Sequence, residues 1–99
     1  MELKALEEAM QAFVEGKGWY KPDSSHPQTP KNLAISLVLE ANEVLEHFQW
    51  SEQASDKTEL ASELADVLLY LLQIARLHDI DLAQAVMDKL DINANRNWE

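Results

Sequence analysis

The chain has 99 residues, enough for one domain, and a domain of that size buries only about two-thirds of its unfolded surface, so self-association would help it. Eighteen acids against eight bases give a net charge of −10, which argues against nucleic acid or an anionic membrane as a partner, since both need clustered Lys and Arg. There is no cysteine, so disulfides, thiolate metal sites and cysteine nucleophiles are excluded.

Taken from the start, Leu3, Leu6, Met10, Phe13 and Val14 recur at helical spacing and predict a first helix from about Glu2 to Glu15, with Gly16 as a natural stop. The opening is acidic and amphipathic, unlike a secretory signal, and the longest apolar run, Val67 to Leu72, is far short of a membrane span; a soluble cytoplasmic protein is expected. Gly16 to Gln28 reads as the one long loop, and long loops in compact domains are often binding loops. Trp19 and Tyr20 sit in it, to dock on the core or to touch a ligand; amphipathic aromatics serve both uses.

Thr29 as N-cap and Pro30 at the first helical position open a second helix, expected to end near Gln49. Asn32, Ser36, Glu40, Glu43 and His47 form one polar stripe on this otherwise mainly apolar helix. Asp56 followed by Glu59 has capping-box spacing and opens a third helix, to about His78, whose stripe is Glu59, Glu63, Asp66, Tyr70 and Gln73. A last helix is capped by Asp81 with Gln84 at the box position, and Lys89, Asn93 and Arg96 share one of its faces. These runs, nearly free of Gly and Pro, predict an all-α fold of four helices.

Chemistry concentrates in two acid pairs, Glu40-x-x-Glu43 and, nineteen residues later, Glu63-x-x-Asp66. Spacing i, i+3 puts both acids of a pair on one helix face, and two such helices side by side would converge four carboxylates. Any single pair is more often a solvated face than a site; two pairs on apolar helices reverse that preference, because partly buried like charges repel and a divalent cation relieves them. Hard oxygen donors without cysteine favour Mg²⁺, with Mn²⁺ as a substitute, and Mg²⁺ held by carboxylates suggests a phosphate-bearing substrate. Lys89, Arg96 and Lys31 are the cations placed by pattern to meet phosphate, although a basic last turn also complements the helix dipole. His26 and His47 lack partners at ligand spacing and read as hydrogen-bonded residues before ligands. A di-iron carboxylate site is disfavoured, since no Glu-x-x-His occurs.

The two acid pairs, with Pro30-Lys-Asn-Leu, Phe48-Gln-Trp50, Glu63-Leu-Ala-Asp66-Val-Leu-Leu-Tyr70 and Lys89-Leu-Asp-Ile-Asn93-Ala-Asn-Arg96, resemble the MazG-like all-α nucleoside triphosphate pyrophosphohydrolases, in particular their single-domain branch that includes the dCTP pyrophosphatases. The resemblance implies a MazG-like four-helix bundle completed by homo-oligomerisation, as a dimer or a dimer of dimers. It also implies Mg²⁺-dependent hydrolysis of a (deoxy)nucleoside triphosphate to monophosphate and pyrophosphate, in nucleotide-pool house-cleaning. Under it, Glu40, Glu43, Glu63 and Asp66 hold the metal and one of them orients or deprotonates water. Lys89, Asn93 and Arg96 lie near phosphate or sugar, Tyr70 beside the metal, and Trp19 and Trp50 around the base. A non-catalytic helical assembly module is the alternative; it accounts for the apolar helices but not for the acids.

Overall fold

A computed structural model describes residues 1–97, and the described residues form four helices without a strand: α1 (Leu3–Gly16), α2 (Pro30–Glu46), α3 (Lys57–Leu77) and α4 (Leu82–Ala94). Each helix start except the first is closed by a side chain. Thr29 Oγ1 accepts from the Asn32 N–H at 3.1 Å, Asp56 Oδ1 from the N–H groups of Thr58 and Glu59 at 2.8 and 3.2 Å, and Asp81 Oδ1 from that of Gln84 at 3.1 Å. The expected box at α4 is half formed, since the Gln84 amide donates forward to Asp88 Oδ1 at 2.8 Å.

Two helix ends differ from expectation. The stop of α1 is set by Gly18, not Gly16: Gly18 has φ 71°, the Trp19 N–H donates to Val14 O and the Gly18 N–H to Glu15 O. That pair of bonds is the Schellman arrangement, which folds the chain back over its own helix and so returns Trp19 to the α1 surface. The helix α2 ends at Glu46, short of Gln49, because its last turn tightens into i to i+3 bonds from His47, Phe48 and Gln49.

The third helix is the spine, with α2 packed along it and α1 against it. Met10, Val14 and Leu72 form the buried centre, and Leu6, Trp19, Leu68 and Leu82 pack around them. Leu33 on α2 is also buried, whereas α4 has no fully buried residue. Much apolar surface stays exposed, including Val38, Leu39 and Leu45 on α2, Leu64 on α3 and Met87, Leu90 and Ile92 on α4. The accessible surface is 7744 Å², where a compact monomer of 11.3 kDa exposes about 5,700 Å². The radius of gyration is 15.9 Å against about 13 Å for a compact chain of this length. Among the described residues no helix is long and apolar enough to cross a membrane.

Candidate active site

Packing α2 along α3 brings the two acid stripes together. Glu40, Glu63 and Asp66 are half-buried and Glu43 is exposed. The Glu40 carboxyl is pushed above its ordinary pKa, first by burial, then by the negative charges of Glu43 and Asp66, by a carboxyl contact with Glu43, and by the charge of Glu63. All three other acids of the motif therefore act on Glu40 through space. Its Oε2 is buried with no hydrogen-bond partner.

Glu63 has a partner that sequence reasoning undervalued. His47, at the C-cap of α2, is buried, and its Nε2 meets the Glu63 carboxylate while its Nδ1 lies 3.1 Å from Ser55 Oγ. The signal was present in the α2 stripe, which runs through His47, but the partner lies on another helix. Among the described residues no three acid or histidine side chains already close to a ligand cage.

Beside the acids, α1, α2, α3 and the loop after α1 enclose a largely apolar cleft of about 670 Å³. Met10, Phe13, Trp19, Leu33 and Leu69 supply its apolar wall, and Asp66 and Tyr70, one helical turn apart on α3, also line it. The Trp19 ring stands edge-on to Phe13, with centroids 5.7 Å apart, and tilted against His26 at 5.3 Å. Trp19 thus both packs on the core and faces the cleft, whereas the neighbouring Tyr20 is tied to α1 by donating to Gln11 Oε1 at 3.0 Å. The polar lining includes Asn32, Ser36 and Gln73 from the two stripes, and Gln28 from the loop.

The remaining candidates are not gathered at this cleft by one chain. Trp50 is 90% exposed, and Lys31, Lys89 and Arg96 are exposed; with the half-buried Asn93, none of them is among the cleft residues.

Residues 28–96 match the MazG nucleotide pyrophosphohydrolase domain. The chain is 38% identical over 76 residues to dCTP pyrophosphatase 1 of Rattus norvegicus, covering 68% of this chain and 45% of that protein. It is 42% identical over 85 residues to the dATP/dGTP diphosphohydrolase of Cyanophage S-2L, covering 86% and 72%. A crystal structure of a pyrophosphatase from Archaeoglobus fulgidus superposes with a TM-score of 0.77 at 36% identity, over 92% of this chain and 87% of that one. The chain spans a little under half the length of the mammalian relatives it matches. With the domain match extending through α2, α3 and α4 and the whole helical arrangement reproduced in a solved relative, the chain belongs to the MazG nucleotide pyrophosphohydrolase family.

Proposed function

We propose that residues 1–99 act as one MazG-like domain that hydrolyses a (deoxy)nucleoside triphosphate to its monophosphate and pyrophosphate, in a cytoplasmic house-cleaning role, as a homodimer or homotetramer. One observation carries this reading: an apolar cleft of base-binding character is lined by Asp66, a member of the acid group whose charges converge on Glu40. Clefts of several hundred Å³ with a few placed polar groups suit a nucleoside, and clustered carboxylates suit the phosphates only through a cation.

Glu40, Glu43, Glu63 and Asp66 fit Mg²⁺, with Mn²⁺ as substitute: the donors are all hard oxygens, and the buried Glu40 Oε2 is left without a hydrogen bond by the chain itself. When bound, the cation neutralises phosphate charge and lowers the pKa of the attacking water. The chain's own part is positional. Trp19 presents its ring to the base, Tyr70 stands beside Asp66 in the same lining, and one of the four acids orients or deprotonates the water. His47 holds the Glu63 carboxylate in place from behind. Lys31, Lys89, Asn93 and Arg96 serve phosphate or sugar, and Trp50 the base, once a second copy completes the site. The surface in excess of a compact monomer, with exposed Val38, Leu39, Met87 and Leu90, supports that assembly.

The test is release of pyrophosphate from a panel of ribo- and deoxynucleoside triphosphates with Mg²⁺ or Mn²⁺. Metal-dependent pyrophosphate release with the monophosphate as co-product is expected. Orthophosphate as the primary product, or inactivity on the whole panel, would overturn the reading.

A further inference from the structure

The cleft contains a chain of amides whose polarity is set from one end. Gln28 Nε2 donates to the His26 backbone carbonyl at 2.6 Å. A carbonyl oxygen can only accept, so the Gln28 amide has one allowed orientation and turns its Oε1 away from His26. That Oε1 lies 2.7 Å from the amide of Gln73, and an acceptor there demands Nε2 of Gln73. His26 thus fixes Gln28, and Gln28 fixes Gln73.

The consequence falls on Gln73 Oε1. Gln73 is only 4% exposed and lines the cleft. Among the described residues no group donates to Gln73 Oε1, and this oxygen is not sealed from solvent, so an acceptor without a protein donor sits on a side chain that lines the cleft. A largely apolar cleft is therefore lined by a residue whose acceptor the chain has oriented and left unused. Water can satisfy this acceptor until a ligand displaces it; a ligand that brings a donor replaces that hydrogen bond, and one that does not leaves the acceptor unpaired in the complex.

We infer that Gln73 is a specificity-determining residue, which reads an exocyclic amino group on the base and selects amino-bearing bases over their carbonyl counterparts. The inference rests on the proposed use of this cleft for the base of a nucleotide. Cytosine and uracil differ at one position, N4–H₂ against O4, and adenine and hypoxanthine differ likewise, N6–H₂ against O6. In each pair the amine donates to Gln73 Oε1, whereas the carbonyl sets oxygen against oxygen. One lost hydrogen bond with a buried acceptor left facing another acceptor corresponds to roughly 10- to 100-fold. Gln28 is a positioning residue: it acts by holding the Gln73 amide in the acceptor-outward orientation.

Binding separates this inference from catalysis. The dissociation constants of the α,β-imido analogues of dCTP, dUTP, dATP and dITP are measured by calorimetry in the presence of Mg²⁺, for the wild-type chain and for Gln73→Leu and Gln28→Leu. The wild type is expected to bind the amino member of each pair roughly 10- to 100-fold more tightly. Gln73→Leu brings both ratios towards unity, and Gln28→Leu does the same with Gln73 intact, because the freed amide turns to suit either base. Equal binding of the two members by the wild type, or ratios preserved in Gln73→Leu, overturns the inference. Should Gln73→Leu not fold, preserved ratios in Gln28→Leu overturn it. Discrimination in binding without pyrophosphate release from the natural nucleotides would sink the hydrolase reading and leave the role of Gln73 standing; no binding of any analogue would sink both.

Discussion

His47 and Glu63 are sixteen positions apart in the chain and in contact in the fold, joining the C-cap of α2 to the first acid of the α3 pair. Ser55 fixes the other ring nitrogen, so the imidazole cannot swing away from the carboxylate without breaking a second contact. This links the turn between the helices to the acid cluster, and it makes the four acids unequal. Glu63 is paired with an imidazole, whereas the groups that act on Glu40 are all carboxyls.

That inequality can be read in stability. Replacing His47 by Ala removes the buried partner of Glu63 and opens a space beneath the α2 C-terminus, with an expected loss of about 1–3 kcal/mol in urea unfolding without metal. Mg²⁺ should add less stability to this variant than to the wild type, because the Glu63 carboxylate is no longer held in place for the ion. Equal Mg²⁺ effects in the two proteins would show that Glu63 does not take part in metal binding.

Glu40 should give the opposite sign. Its folded-state pKa is raised above the ordinary 4.5, so the folded chain holds the proton more strongly than the unfolded one. Its contribution to stability is therefore fully present below the unfolded value and is lost as pH rises through the folded one. Without metal the melting temperature of the wild type should carry a component that increases as the solution is acidified from neutrality towards the ordinary carboxylate range. Glu40→Gln should lack that component, hold or gain apo stability at pH 7, and lose turnover by orders of magnitude. A large apo destabilisation with near-normal turnover would contradict the placement of Glu40 among the metal-binding acids.

The exposed faces make a prediction about assembly. At micromolar concentration light scattering should report a dimer or tetramer, and Val38→Glu with Leu39→Glu should dissociate it, since burying two charges in an apolar interface is unfavourable. A wild-type monomer near 11.3 kDa would show that the excess surface is tolerated in solution.

Trp19 and Trp50 should be distinguishable by nucleotide binding. Trp19 lines the cleft and Trp50 does not, so nucleotide should perturb Trp19 fluorescence even in the charge-substituted monomer, read in a background in which Trp50 and Trp98, the chain's two other tryptophans, are replaced by Phe. Trp19→Ala should raise KM more than it lowers kcat, as expected for a group that binds ground and transition states alike. An unchanged KM would remove the base from this cleft.

Much of this protein was legible one residue at a time. Caps at Thr29, Asp56 and Asp81 mark helix starts because a side-chain oxygen beside free N–H groups is a local interaction, and the acid pairs share faces because α-helical spacing is local too. The all-α class follows from those patterns and was borne out by the four helices of the described residues, and the packing of α2 along α3 brings the charges of Glu43, Glu63 and Asp66 to bear on Glu40. What only the tertiary structure decided were relations between distant segments. The partner of His47 lies on α3, the orientation of the Gln73 amide is dictated from the loop at His26, and Trp19 reaches the cleft because Gly18 turns the chain back on α1. Periodicity assigns a residue to a face, but which group occupies the space opposite depends on how the helices pack, and that is where side-chain orientation and an unused hydrogen-bond acceptor are determined.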